Sequence, residues 1–135
     1  MAFRDVRFVH VNIAAAPERV AAYLADPRNM PLWAPNFGHE IHPEGEHWVM
    51  QAATGPFRVR MAPDNALGVA DHWVTPPGSI EELHNAIRVT ENGVGSLVVF
   101  NLYRQDGFDD AQFDADEALV SADLRRLKGL IEGEA

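Results

Sequence analysis

The chain opens in alternation. Residues 6–13, VRFVHVNI, put Val9, Val11 and Ile13 on one face and Phe8, His10 and Asn12 on the other, the period of two expected of a half-buried strand. The period then changes. In PERVAAYLAD, Pro17 suits a first helical position and Glu18 complements the positive helix start, while Val20 and Leu24 share one side with Tyr23 beside them, which predicts a short amphipathic helix. Asp26-Pro27 ends it, because a residue before proline is pushed out of helical geometry. RNMPLWAPNFG reads as a short, proline-broken helical connector that carries Trp33.

From residue 40 to 105 short apolar runs alternate with turn residues. Strands are predicted near 40–43, 47–53, 57–62, 68–75, 80–90 and 95–105, with breaks at Pro43-Glu44-Gly45, Gly55-Pro56, Pro63-Asp64-Asn65, Pro76-Pro77-Gly78 and Asn92-Gly93. Loops of hairpin length leave no room for parallel crossovers, so the pattern is an antiparallel meander. Asn92-Gly93 is the strongest hairpin signal, and centring a two-residue turn on it sets His84 opposite Asn101, Ala86 opposite Val99 and Arg88 opposite Leu97.

The last segment predicts a helix of about 23 residues, on the order of 35 Å long. Phe113, Val120, Leu124, Leu127 and Ile131 recur at helical spacing, Asp109 with Gln112 forms a capping-box pattern, and Phe108 with Phe113 fits a hydrophobic staple. Acids crowd its first half while Arg125, Arg126 and Lys128 crowd its closing turns, in keeping with the macrodipole. The sequence has no repeat, low-complexity segment or linker, so residues 1–135 read as one domain. A seven-stranded antiparallel sheet with one apolar face needs a cover, and the final helix is the one element long enough to provide it. A curved sheet gripping a helix leaves a concave apolar space, the usual setting for small-molecule binding.

Composition narrows the partners. Twenty acids against 11 bases give a net charge of −9, which disfavours nucleic acid and anionic membrane surfaces. The absence of cysteine excludes disulfides and thiolate chemistry. MAFRDVRFVHVN lacks the apolar block of a signal peptide and no run approaches membrane-spanning length, so a cytoplasmic protein without membrane insertion is expected.

Four stretches together, VNIAAAPERVAAYLADPRNMPLW, GVADHWVTPPG, IRVTENGVGSLVVFNLYRQ and DADEALVSADLRRLKGLIE, resemble the SRPBCC superfamily, which includes START lipid-binding domains, birch-pollen-allergen-like proteins and polyketide cyclase/dehydrases. The resemblance spans nearly the whole chain and is nearest to small bacterial members of the cyclase/dehydrase-like branch. It implies an α+β helix-grip fold: a curved seven-stranded antiparallel sheet wrapped around a long C-terminal helix, with a short helical pair after the first strand. It also implies a cavity for a small, largely hydrophobic, polyketide- or lipid-like ligand. It brings no strict catalytic motif, metal or cofactor. A cyclase or dehydratase is one alternative function. A non-catalytic interaction module, as in chaperone-activating relatives, is another, and a homodimer is the assembly left open.

The candidate chemistry centres on GVADHWVTPPG. Neighbours on a strand face opposite ways, so Asp71 shares a face with Val69, Trp73 and Thr75, and His72 with Ala70 and Val74. Asp71 and His72 therefore cannot form a dyad. The TPPGS turn leaves two registers, with His84 opposite Asp71 or opposite His72. The first gives an acid–base pair and the second a histidine pair, which could hold a metal or simply be solvated. Arg88 would need Asp71 or a ligand anion as partner if it faced the cavity, and would be solvated on the outer face. Tyr103 completes the candidate catalytic set of Asp71, His84, Arg88 and Tyr103, with Asn101 as a hydrogen-bonding neighbour. Candidate lining for the ligand is Trp33, Trp48, Met50, Phe57, Met61, Trp73, Asn101 and Leu124, residues that equally suit plain core. His39, His42 and His47 lie within nine positions, but their spacing matches no zinc motif, and a solvated hairpin is expected there.

Overall fold

The computed structural model describes residues 2–133; Met1, Glu134 and Ala135, which the sequence reading included at the two ends of the domain, lie outside the described residues. Strand β1 (Val6–Ile13) is followed by α1 (Pro17–Ala25), a single 3₁₀ turn (Pro27–Asn29) and α2 (Met30–Trp33). The meander follows as β2 (Glu40–Glu44), β3 (His47–Ala52), β4 (Gly55–Met61), β5 (His72–Thr75), β6 (Leu83–Asn92) and β7 (Gly95–Tyr103), and α3 (Asp110–Glu132) completes the described chain. All pairings are antiparallel in the order β1-β7-β6-β5-β4-β3-β2, so β1 and β2 form the two edges and the helical pair carries the chain between them. This curved sheet around a long helix is the helix-grip architecture.

Local chemistry explains the elements. In α1, Val20 and Leu24 are buried four residues apart, and after it the Asp26 carboxylate accepts from Arg28 N–H. In α2, Met30 and Trp33 are buried three apart on one face. Helix α3 begins with the expected reciprocal box: Gln112 N–H donates to Asp109 Oδ1 at 2.8 Å and Asp109 N–H to Gln112 Oε1 at 2.9 Å, an arrangement that stabilises a helix start by about 1 kcal/mol. Its last turn holds no basic residue; the end is closed by Gly133 in the left-handed conformation at φ 76°. Arg125, Arg126 and Lys128 thus sit short of the helix end and spend their charge on neighbours, Lys128 on the Asn12 carbonyl and Glu132.

The inner face of the sheet is set by alternation. Val9 and Ile13 of β1, Val98 and Phe100 of β7, Ile87 and Val89 of β6, Val74 of β5 and Val59 of β4 are all buried. Helix α3 covers them with Phe113, Leu124, Leu127 and Ile131, packing chiefly along β1 and against α2. Arg7, on the same face of β1 as Val9, ties β1 to α3, bonding Asp114 at 2.6 Å and Glu117 at 2.9 Å with its guanidinium 4.1 Å from the Phe113 ring.

Two registers differ from expectation. The β6–β7 hairpin pairs Asn92 with Gly95, Arg88 with Val99 and Ala86 with Asn101, two residues on from the expected pairing. Gly93, not Asn92, is the first central residue of the turn. Its φ is +56° and among the described residues no non-glycine residue has positive φ, the pattern of a turn with glycine in its first central position. At the other hairpin His84 opposes neither Asp71 nor His72. It lies opposite Trp73, and His72 lies opposite Asn85. The regular β5 ladder also begins later than expected, at residue 72, because the Asp71 side chain interrupts it. Ala70 N–H donates to the Ile87 carbonyl at 2.9 Å, but Ile87 N–H answers to Asp71 Oδ1 at 3.0 Å and not to a strand carbonyl.

Gly68 fixes where this segment meets β6. Its φ is +76°, its carbonyl accepts from Val89 N–H at 2.9 Å, and a Cβ there would run into the Val89 carbonyl oxygen. Gly68→Ala should cost about 2–3 kcal/mol, from left-handed strain and a displaced ladder bond, measured by urea unfolding. A loss below about 0.5 kcal/mol would contradict this assignment.

Candidate functional site

The two faces of β5 lead to two different polar systems. On the outer face Asp71 is 3% exposed yet ionised. Burial alone would raise its carboxyl; the Arg88 guanidinium, the His84 ring and Ile87 N–H outweigh it and hold it below the usual range. Arg88 makes a two-pronged contact, Nε to Oδ1 and Nη2 to Oδ2, each 2.9 Å, and His84 Nε2 lies 2.9 Å from Oδ2. A carboxylate only accepts, so Nε2 of His84 carries the proton. The His84 ring stacks on Trp73 at 4.7 Å and 6°, Arg60 lies 4.2 Å over the same indole, and Glu82 grips Arg60 at 2.9 and 3.0 Å. This row runs across β4, β5 and β6 in register. Every polar member named here has a partner.

The inner face is different. Between the sheet, α2 and the first half of α3 lies a half-open pocket of about 860 Å³, within the range of roughly 300–1,000 Å³ usual for small-molecule sites. Phe57, Val74, Leu83, Phe100 and Leu102 form its apolar floor, and Trp33, Phe37 and Val120 its opposite walls. It exists because α3 lies along β1, leaving the inner surface of β4–β7 facing the helix's first half across a gap.

Set in these walls are His72 and Asn85 on the sheet and Asp116 and Asp123 on α3. Burial pushes His72 down to about 4, with Asp71 pulling the other way and His84 adding to the fall, so the ring is neutral near pH 7. Burial pushes Asp123 up to about 6 despite its 3.0 Å bond from Arg126. Burial also raises Asp116, and its Oδ2 is shut off from solvent without a hydrogen-bond partner in the protein. Trp33 Nε1–H, across on α2, is likewise buried and unpartnered.

The expected residues therefore separate. Asp71, His84 and Arg88 are brought together on the outer face, Asp71 and Arg88 away from the pocket and His84, with Glu82, at its rim; Tyr103 and Asn101 alternate with buried Phe100 and Leu102, so they too stand on the outer face and reach the pocket at its rim. Trp73 belongs to the outer row. Trp33 and Phe57 line the pocket, while Trp48, Met50, Met61 and Leu124 pack in or against the core. His39, His42 and His47 stay on the β2–β3 side of the chain, and among the described residues no three potential ligands gather at one metal position. Sequence reasoning passed over His72, Asn85, Asp116 and Asp123 as site residues. The signal for the two acids was present: 113, 116, 120, 123 and 127 form one helical stripe, and two of its slots are aspartates.

No protein-family model and no curated protein sequence matches the chain. Solved structures share its fold. The Aha1 dimer from Colwellia psychrerythraea superposes with a TM-score of 0.73 at 12% identity, over 96% of this chain and 98% of that one. DynU16, from the dynemicin biosynthetic locus, gives 0.69 at 18% over 95% of this chain, which spans only 47% of DynU16. Ara h 8.0201 gives 0.66 at 12%, over 97% and 99% of the two chains. At such identities the likeness establishes the helix-grip fold and says nothing of chemistry. Among the described residues no helix is long and apolar enough to cross a membrane.

Two expectations follow. Asp71→Ala strands Ile87 N–H, the Arg88 guanidinium and the His84 ring N–H and should cost about 2–4 kcal/mol of stability while leaving the pocket's ligand affinity within twofold once folded; a loss under about 1 kcal/mol contradicts the role. His72 titrates near 6.5 when unfolded and about 4 when folded, so its contribution is complete above 6.5 and lost as pH falls toward 4. Between pH 7 and 4.5, urea melts of the wild type should lose about 2 kcal/mol more than those of His72→Leu. Equal losses would show that the ring takes up its proton in the fold.

Proposed function

We propose that this chain binds a small, largely apolar molecule in the pocket between the sheet and α3, as a member of the SRPBCC superfamily. The observation that carries the reading is the pocket itself: a space of about 860 Å³ walled by Phe57, Phe100, Leu102 and Val120 in a fold with room for it. A polyketide- or lipid-like ligand suits the apolar floor. In this reading the Asp71–His84–Arg88 cluster holds strands and Trp73 braces it.

A second reading, a cyclase or dehydratase, is favoured by one observation: Asp123, raised to about 6, shares the pocket with neutral His72. A carboxyl so poised can give and take a proton near neutral pH, whereas Asp71 is held ionised away from the pocket.

Native mass spectrometry of freshly purified protein tests the first reading. The expected result is a retained small-molecule mass that disappears in Val120→Trp, a variant that fills the pocket while remaining folded. Apo protein in every preparation, together with no binding of the neutral fluorophore N-phenyl-1-naphthylamine, contradicts it. Conversion of the retained molecule during incubation, with loss of one water or a cyclised product, would favour the second reading.

A further inference from the structure

We propose that His72 is the residue by which the pocket holds the polar end of its ligand, and that this end is an uncharged oxygen group, a hydroxyl or a carbonyl, and not a carboxylate. This rests on the pocket-binding reading and adds to it the contact residue and the group it meets. His72 is 6% exposed and lines the pocket from β5, between Ala70 and Val74 on the inner face of the sheet. Among the described residues none gives a hydrogen bond to its ring or takes one from it, whereas the ring of His84 is held by Asp71. Yet neither nitrogen of His72 is sealed from solvent as Trp33 Nε1 and Asp116 Oδ2 are. A ring that is almost wholly covered, faces inward and keeps its nitrogens open is open to the pocket it lines.

The strands beside it leave the ring unmet. His72 lies between Met61 of β4 and Asn85 of β6. Asn85 shares the pocket wall, and opposed positions on antiparallel strands set side chains about 5 Å apart. The Asn85 amide nitrogen is turned instead to the Leu83 carbonyl, at 3.2 Å, and no hydrogen bond joins the two side chains. His72 is thus an open polar point in a floor built of Phe57, Val74, Leu83 and Phe100.

The group it meets follows from its charge. Burial pushes the imidazole down to about 4, so near pH 7 it is neutral, with one N–H donor and one acceptor nitrogen. With no protein bond to fix the tautomer, the ring can give a hydrogen bond to a carbonyl or a hydroxyl, or take one from a hydroxyl. A carboxylate gains an ion pair only by drawing a proton onto a ring that burial keeps unprotonated, and it does so in a pocket also lined by Asp116 and Asp123. The lining cations are committed elsewhere, Arg4 to Asp106 and Arg104 to Asp110.

The test is displacement of N-phenyl-1-naphthylamine at pH 7 by four probes on one skeleton: 2-naphthol, 2-acetylnaphthalene, 2-methylnaphthalene and 2-naphthoate. 2-Naphthol and 2-acetylnaphthalene should each bind at least fivefold more tightly than 2-methylnaphthalene, and 2-naphthoate at least tenfold more weakly than 2-naphthol. His72→Phe keeps a ring but removes both nitrogens, and should bring the naphthol-to-methylnaphthalene ratio below twofold while the fluorophore still binds. In the wild type the ¹⁵N resonances of the His72 ring should shift on saturation with 2-naphthol and stay in place with 2-methylnaphthalene, a difference that a purely structural role would not produce. The proposal is overturned if neither oxygen-bearing probe exceeds 2-methylnaphthalene, if 2-naphthoate matches 2-naphthol, if the ratio survives in His72→Phe, or if the ring resonances respond alike to both probes. Any of these results with the fluorophore bound overturns this inference alone; failure of the fluorophore to bind wild-type protein overturns the pocket reading and this inference with it.

Discussion

One buried carboxylate organises the middle of the sheet. Asp71 stands at the irregular step on the β5 edge of β6: residues 83–85 of β6 pair with β5 in a regular ladder, and beyond them Ile87 and Val89 bond to Ala70 and Gly68. Here the carboxylate supplies the acceptor that the backbone does not, to Ile87 N–H, and draws Arg88 and His84 in behind it. Its position also decides which way β5 faces. With Asp71 held outward by four hydrogen bonds, Ala70, His72 and Val74 can only point inward, and the floor of the pocket follows.

The result is two polar systems separated by the thickness of one strand. The outer row, from Glu82 through Arg60, Trp73 and His84 to Asp71 and Arg88, is closed on itself, and such a network does its work by holding strands in register. The inner set is open. His72 is kept neutral, Asp123 is kept near its titration point, and Asp116 and Trp33 each present an atom that nothing in the protein meets. The four hydrogen bonds that hold Asp71 on one side, and the burial that shifts His72 and Asp123 on the other, separate architecture from site more sharply than residue type does, since by type alone Asp71 and His84 are the better catalysts.

This is also where the sequence could and could not be read. Periodicity carried β1, α1 and α3, and the chemistry of Asp109 and Gln112 fixed the start of α3 to the residue. The helix-grip order of elements followed from short loops and one long helix. The face of β5 was not legible, because Ala70-His72-Val74 and Val69-Asp71-Trp73 are equally mixed in polarity, and only long-range partners distinguish them. The hairpin turn slid by one residue, and the pairing by two, because Asn92-Gly93 and Gly93-Val94 both contain Gly93 and the choice lies with the strands it joins. Asp116 was hidden by a plausible local role, since acids in the first half of a helix suit its dipole, and Asp123, past the middle of α3, by the charged residues that follow it.

The central claim is that ligand chemistry belongs to the inner face and structure to the outer one. The three tryptophans make this directly measurable, since Trp33 lines the pocket, Trp73 belongs to the outer row and Trp48 packs against the core. Their indole N–H resonances, assigned by substitution in ¹H–¹⁵N spectra, can be followed during titration with N-phenyl-1-naphthylamine. The account predicts a saturable shift of the Trp33 resonance with Trp73 unmoved. A shift of Trp73 with Trp33 unmoved would place the site on the other side of the sheet and contradict it.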